Sequence, residues 1–112
     1  MVKIAPVRTE LYRLGDDGRV YNKFRMTVAN RQGKDASLTL SLEHLPGAQI
    51  ELEQPLKLKP AEERQLQFDV SVQQQALPQG VNHFQIVSRV EAGGETTNNP
   101  MTFITPTERK PK

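Results

Sequence analysis

The chain of 112 residues contains no cysteine and no tryptophan, and only 5% of its residues are aromatic. The absence of cysteine excludes a disulfide scaffold, a cysteine-based zinc site, a cysteine nucleophile and an iron–sulfur cluster held by this chain alone. No apolar run approaches the roughly 18 residues that a membrane-spanning helix needs. The first residues also lack the apolar region of a secretory signal peptide. We therefore expect either a cytosolic protein or a piece of a longer one.

Charge of one sign is also scarce, because 15 Lys and Arg residues stand against 13 Asp and Glu residues, for a net charge of +2. So small an excess argues against strong phosphate-driven binding of nucleic acid as the default function. The length suits a single domain. Hydrophobic residues make up 36% of the chain, which predicts a small core.

What the sequence does have is alternation of apolar and polar residues with a period of two. In the run from Val20 to Asn30, Phe24, Met26 and Val28 fall on one face and charged or polar residues on the other. Successive side chains of a strand point to opposite faces, so this run predicts a half-buried β-strand. Similar alternation recurs over residues 37–43, 49–53, 56–59, 65–72, 83–90 and 101–103.

Turn signals separate these runs, among them Gly15-Asp16-Asp17-Gly18 and Leu45-Pro46-Gly47. Together the pattern predicts an all-β, immunoglobulin-like antiparallel two-sheet β-sandwich of about seven to eight strands. The Cys pair and buried Trp of antibody-type domains are missing. We expect a lead-in over residues 1–6, the sandwich over 7–105 and a disordered tail over 106–112. The first strand is predicted at about Val7–Leu14, and residues 73–80 as a crossover with at most one helical turn.

The candidates for chemistry are few. His44 and His83 are the two histidines, and together with Met26 and Met101 they would be the donors of a copper site, an alternative that the residues leave open. Surface positions for the histidines and core packing for the methionines are the simpler interpretation. A titration with copper, repeated on a His44→Ala, His83→Ala double variant, tests the metal alternative.

Acidic residues meet at the first turn, where Glu10, Asp16 and Asp17 lie close in sequence. We interpret Asp16 and Asp17 as turn residues, since their spacing is not that of a calcium loop. Neither a Gly-rich phosphate loop nor a nucleophile elbow is present. The sequence therefore predicts no enzyme activity, no catalytic residue, no metal site, no bound cofactor and no small-molecule substrate for this chain.

A basic face is the one candidate binding surface, because Lys23, Arg25 and Arg31 share the outward phase of the strand from Val20 to Asn30. Single-strand nucleic-acid binders combine such a groove with aromatic platforms, and here only Tyr12 and Tyr21 are candidates. We do not expect nucleic acid as the partner. The alternative hypothesis is nevertheless a free-standing soluble sandwich that binds nucleic acid or a protein ligand through this face.

An ordered set of short segments carries a resemblance. The segments are Leu11-Tyr12-Arg13, Asp17-Gly18-Arg19, Asn22-Lys23-Phe24 followed by Asn30, Leu45-Pro46-Gly47, and Ala76-Leu77-Pro78-Gln79-Gly80 before Phe84. Over about Val7 to Thr105 the chain resembles the C-terminal domain of the FixG/CcoG family, the accessory proteins of cbb-type cytochrome oxidase assembly.

The resemblance implies a context that the residues alone do not. Family members are inner-membrane proteins with several transmembrane helices and a ferredoxin-like region whose cysteines hold two [4Fe–4S] clusters. Their C-terminal domain is immunoglobulin-like, is expected on the periplasmic side, and belongs to a protein tied to redox chemistry and copper supply. None of the cluster cysteines exists here, so any cluster belongs to the parent protein. The resemblance implies a non-catalytic docking domain whose partner is its own membrane region, a copper-handling protein or another oxidase-assembly component.

Overall fold

The computed structural model describes residues 1–76, 80–91 and 94–106, and these residues form nine strands and a single 3-10 turn. The strands are β1 (Val2–Pro6), β2 (Arg13–Leu14), β3 (Arg19–Ala29), β4 (Ala36–Glu43), β5 (Gln49–Glu51), β6 (Leu56–Leu58), β7 (Glu63–Gln73), β8 (Val81–Val90) and β9 (Thr96–Ile104), and the turn spans Gln74–Ala76. Within those residues there is no helix with the length and apolar character needed to cross a lipid bilayer.

The strands form two antiparallel sheets that pack face to face. Sheet A has the order β1-β3-β7-β5, and the short β2 joins the same edge of β3 as β1 does. Sheet B has the order β6-β4-β8-β9. The longest pairing joins β3 to β7 from Arg19↔Gln73 to Ala29↔Glu63, so these two strands are the centre of sheet A.

Alternation of side chains along each strand produces the core between the sheets. In β3 the even positions, including Phe24, Met26 and Val28, are buried, whereas the odd positions are half-buried or exposed. All four phenylalanines of the sequence lie in this core, and their rings form a connected chain. Phe24 stacks on Phe68 with centroids 5.9 Å apart, meets Phe84 edge-on at 6.0 Å, and Phe84 meets Phe103 edge-on at 6.3 Å. The aromatic chain therefore joins both sheets without a disulfide.

The predicted two-sheet antiparallel sandwich is confirmed, with nine strands in the described residues against about seven to eight predicted. Both predicted turns form: the Gly18 amide donates to the Gly15 carbonyl at 3.2 Å, and the Ala48 amide donates to the Leu45 carbonyl at 3.2 Å. Gly18 and Gly47 have φ of 79° and 76°, a conformation that glycine adopts without steric cost.

The N-terminal prediction is wrong in one respect. The strand expected at Val7–Leu14 is only the two residues of β2, whereas Val2–Pro6, expected to be a lead-in, form β1 and pair with β3 from Val2↔Val28 to Pro6↔Phe24. The reason is tertiary, because each residue of β1 pairs with a residue 18 to 26 positions further along the chain. The predicted helical turn of the crossover is present at Gln74–Ala76. Residues 77–79 of that crossover, and the predicted tail after Pro106, lie outside the described residues.

Candidate functional site

The outer face of sheet A brings several charged side chains together around Asp69. The Asp69 carboxylate lies 3.6 Å from Nη2 of Arg13 and 3.8 Å from Nζ of Lys23. Arg13 also lies over the ring of Tyr21, with its guanidinium carbon 4.2 Å from the ring centroid. Lys23 and Asp69 occupy opposed positions of β3 and β7, where opposite charges attract across the strands. One carboxylate thus neutralises two of the cations of this face.

A second polar chain crosses the same face beside the first. Arg19 donates from Nε to Oγ of Ser71 at 2.9 Å and from Nη2 to the Ser71 carbonyl at 2.8 Å. The Ser71 hydroxyl in turn donates to Oε2 of Glu51 at 2.8 Å. Ser71 is fully buried beneath these partners. The chain links β3, β7 and β5, so the polar surface holds the strands of sheet A in register.

The acidic residue Asp17 belongs to the turn before β3. It accepts a hydrogen bond from the Tyr21 hydroxyl at 2.7 Å and another from the Arg19 amide at 3.1 Å. The bond from Tyr21, with that from the Arg19 amide second, holds the pKa of the Asp17 carboxyl below its ordinary value. The same bond raises the pKa of Tyr21. Both effects are those of a hydrogen-bonded turn, as the sequence predicted for Asp17.

The predicted basic face is only partly assembled. Lys23 and Arg25 both lie on the outer face of β3, but Lys23 is engaged with Asp69. Arg31 is exposed two residues beyond the end of β3. Tyr12, predicted as an exposed stacking group, is half-buried and packs against the core. The partner face of Lys23, Arg25 and Arg31 stays a prediction. Of these three cations, Arg25 and Arg31 form no salt bridge within the described residues, whereas Lys23 does.

The four candidate donors of a metal site lie in two different environments. Met26 is fully buried in the core and Met101 packs against it, whereas His44 and His83 are exposed. In the described ranges, no group of three or more His, Cys, Asp or Glu side chains is arranged to hold a metal ion. His44 instead has a φ of 70° at the turn that follows β4. His44 therefore lies in a turn beside a groove.

That groove lies along β4, where the edge of sheet B is open. The strand β6 pairs with β4 only from Ala36 to Leu38. The Glu91 amide donates to the Ser37 carbonyl at 2.8 Å, so the odd residues of β4 direct their peptide groups toward β8. The even residues Leu40 and Leu42 consequently direct theirs to the other side. Among the residues that the structure describes, no strand covers β4 there beyond Leu38.

The side groove, as we call it, has a volume of about 550 Å³ between this edge of β4 and the edge of β5. Its apolar lining and the one amide side chain in it are Leu40, Leu42, Leu45, Ala48, Ile50 and Gln54. The turn His44–Gly47 closes one end. At the other end Gln54 reaches in, and its Oε1 accepts a hydrogen bond of 2.6 Å from the Leu40 amide.

The segment of chain that lines the side groove carries charge of one sign. Between positions 35 and 56 the sequence has four acidic residues, Asp35, Glu43, Glu51 and Glu53, and no Lys or Arg. Glu43 and Glu53 are exposed. Sequence reasoning missed this surface because it considered the net charge of the whole chain. The signal that could have found it is the gap of Lys and Arg between Lys34 and Lys57.

Comparison with known proteins identifies the family of this β-sandwich. A family model described as "IG-like fold at C-terminal of FixG, putative oxidoreductase" matches residues 1–106. The chain belongs to this family. A solved structure, the crystal structure of a FixG-related protein from Vibrio parahaemolyticus, is similar in fold with a TM-score of 0.84. It has 18% sequence identity, and the match covers 93% of this chain and 94% of that one. Among proteins with curated descriptions, none matches the chain.

Membership of the FixG C-terminal family confirms the resemblance seen in the sequence and the immunoglobulin-like fold expected from it. At 18% identity the Vibrio structure supports the fold and no individual residue. The matched range begins at residue 1, which agrees with β1 being an integral strand of sheet A. The resemblance seen in the sequence implies iron–sulfur clusters in the parent protein, and such clusters are held by cysteine thiolates. This chain has none, so its residues do not fit a cluster.

Proposed function

We propose that this FixG-family sandwich is a non-catalytic docking domain of a longer, membrane-bound iron–sulfur protein that serves cbb-type cytochrome oxidase assembly and copper supply. The observation that carries the proposal is the family match over residues 1–106, which describes the C-terminal part of FixG. A sandwich with an open strand edge is a common scaffold for protein contacts. The domain would lie on the periplasmic side of the inner membrane and contact its own membrane region or another assembly component.

The first test is the size and location of the protein in cells of the source organism. An antibody against this domain should detect, in the membrane fraction, a band several times larger than the 12.6 kDa of this chain. Protease added to spheroplasts should degrade the epitope if the domain is periplasmic. A soluble band near 12.6 kDa would contradict the proposal and favour the free-standing binding module.

A second test separates docking from redox chemistry. Deletion of the segment that encodes this domain should lower the amount of assembled cbb-type oxidase, measured by haem absorbance and oxygen uptake. The iron–sulfur spectrum of the parent protein in the same membranes should be unchanged, because no cluster ligand is removed. Loss of the clusters would show a structural role for the domain, and unchanged oxidase levels would refute the docking function.

A further inference from the structure

We propose that the open edge of β4 binds an extended segment of a partner protein as an added strand, and that this segment alternates apolar with basic side chains. The inference deepens the docking function proposed above and rests on it, since it names the surface and the chemistry of the partner. It is argued from three features of the side groove: its free peptide groups, its apolar lining and the charge beside it.

The free peptide groups come first. Because the odd residues of β4 bond to β8, the C=O of Leu40 and both the N–H and C=O of Leu42 point into the side groove. Leu40 and Leu42 are about 7 Å apart along the strand, the repeat at which an antiparallel neighbour forms its hydrogen bonds. A strand placed here would continue the line of β6, which already pairs with Ala36–Leu38.

Gln54 marks the position of the missing strand. Its side-chain carbonyl accepts the hydrogen bond from the Leu40 amide at 2.6 Å, where the main-chain carbonyl of a neighbouring strand would otherwise sit. The main chain of β6 has left the edge by this point, since its pairing ends at Leu56↔Leu38. An incoming strand would displace the Gln54 carbonyl from the Leu40 amide.

The two faces of an added strand would meet different surroundings. Side chains turned inward would lie against Leu42 and Ile50, which are half-buried hydrophobic residues at the mouth of the core. Side chains turned outward would lie beside Glu43, which is on the exposed face of β4. Opposite charges on neighbouring strands attract, and like charges repel. The partner segment is therefore apolar on its inward face and basic on its outward face.

The edges of β9 and β1 fit such a segment less well. In β9 the free edge carries Pro100, which has no N–H, and the amide of Ile104 is already bonded to the Asn22 side chain at 2.7 Å. At the β1 edge, Lys3 and Arg25 are both exposed and would repel a basic strand. Proline and inward or flanking charge are the usual protections of an edge. The selectivity for the β4 edge follows from charge as well as from geometry.

The test is an NMR titration of the 112-residue chain, at low salt, with a short capped peptide of alternating lysine and valine. We expect saturable shifts of the amides of Leu40, Leu42 and Ile50, and slower solvent exchange of the Leu42 amide in the complex. A peptide of the same length that alternates glutamate and valine should bind at least about tenfold more weakly. A lysine–valine peptide methylated at its strand-facing amide nitrogens should not protect the Leu42 amide.

Matched variants of the chain test the charge. The double variant Glu43→Lys, Glu53→Lys should weaken lysine–valine binding by about tenfold, because both residues are exposed and each is the chain neighbour of a residue that lines the groove. The control is Glu91→Lys, Glu95→Lys, which makes the same change in net charge at exposed positions around the turn that joins β8 to β9. Equal weakening by the two double variants would refute recognition at this edge.

Gln54→Ala tests the backbone contact. Since the Gln54 side chain competes for the Leu40 amide, its removal should strengthen peptide binding by a few-fold while slightly lowering stability. Weaker binding by this variant would contradict the proposal.

Binding of the methylated peptide equal to that of the parent peptide would refute strand addition. Concentration-dependent shifts of the same amides without peptide would assign the edge to a second copy of this chain and overturn the proposal. A failed titration leaves the membrane and oxidase readouts unchanged, so the docking function and this surface can fail separately.

Discussion

At the scale of the residue, Asn22 connects the two sheets by hydrogen bonds. It is a buried position of β3 in sheet A. Its side-chain amide donates to the Ile104 carbonyl at 2.9 Å and accepts from the Ile104 amide at 2.7 Å, on β9 of sheet B. A buried amide with both its groups paired in this way costs little desolvation, whereas its loss leaves two peptide groups without their partner.

We predict that Asn22→Ala lowers the free energy of unfolding by about 1–3 kcal/mol, because the Ile104 peptide groups lose their hydrogen bonds. Urea denaturation followed by circular dichroism measures the change. The control is Asn98→Ala. Asn98 is at an exposed position of β9, the strand that contains Ile104, so this variant should change the free energy of unfolding by less than about 0.5 kcal/mol. Equal effects of the two variants would show that the bridge contributes nothing to stability.

The pair of Asp17 and Tyr21 gives a prediction about pH. We expect Tyr21→Phe to move the pKa of Asp17 upward toward its ordinary value of 3.8, since the first cause of the lowered pKa is removed. An NMR titration of the Asp17 carboxyl carbon measures it. Tyr12→Phe is the control, because Tyr12 packs against the core and is not among the groups that lower the pKa of Asp17. An unchanged Asp17 pKa in Tyr21→Phe would contradict the assignment.

The same pair fixes the direction of a stability dependence. Because folding lowers the pKa of Asp17, its contribution is present above the unfolded pKa, near 3.8, and is lost as the pH falls through the lower folded value. Folding raises the pKa of Tyr21, so its contribution is present below pH 10.0 and is lost as the pH rises through the folded value. Between those limits the contribution of this pair to stability does not depend on pH.

At the scale of the element, β7 is the strand on which sheet A depends, because it pairs with both β3 and β5. Its residue Phe68 is 3% exposed and stacks on Phe24. We predict that Phe68→Ala lowers the free energy of unfolding by about 3–5 kcal/mol. Since small domains are stable by only about 5–15 kcal/mol, the variant should melt far below the parent or not fold.

Leu14→Ala is the matched control for that measurement. Leu14 is also a large apolar residue in sheet A, but it is 56% exposed, so its truncation should change the free energy by less than about 0.5 kcal/mol. Thermal unfolding of both variants followed by circular dichroism compares them. A cooperative melt of Phe68→Ala near the parent temperature would contradict the place of this ring in the core.

The strands also show how much of the fold could be predicted from the sequence. Period-two alternation predicted the inward faces of β3 and β7 correctly, because both are long and half-buried on one side. It did not identify β1, whose five residues are too few for a clear period and whose partner is β3, beyond Arg8–Gly18. The side groove could not be predicted either. An open edge depends on where β6 stops pairing with β4, and this is a property of the assembled sheet.

At the scale of the whole molecule, charge is distributed unevenly although the net charge is only +2. Residues 35–56 carry four acidic residues and no Lys or Arg, so the remainder of the chain has an excess of cations. Two of those cations, Arg13 and Lys23, are neutralised within the fold, because Asp69 lies within 4 Å of both. This internal neutralisation should lower the affinity of the outer face of sheet A for nucleic acid.

That neutralisation predicts the behaviour of Asp69→Asn. Release of Arg13 and Lys23 from their shared carboxylate should add two cations to any contact with single-stranded DNA, so the salt dependence of binding should steepen by about 1.4, or about 0.7 for each cation. Fluorescence anisotropy with labelled DNA over a range of salt concentrations measures the slope. Glu63→Gln is the control, because Glu63 is an exposed acid on the same face of β7 and its loss makes the same charge change. A slope that steepens equally in both variants would mean that net charge, and not the pairing at Asp69, decides the affinity of this face.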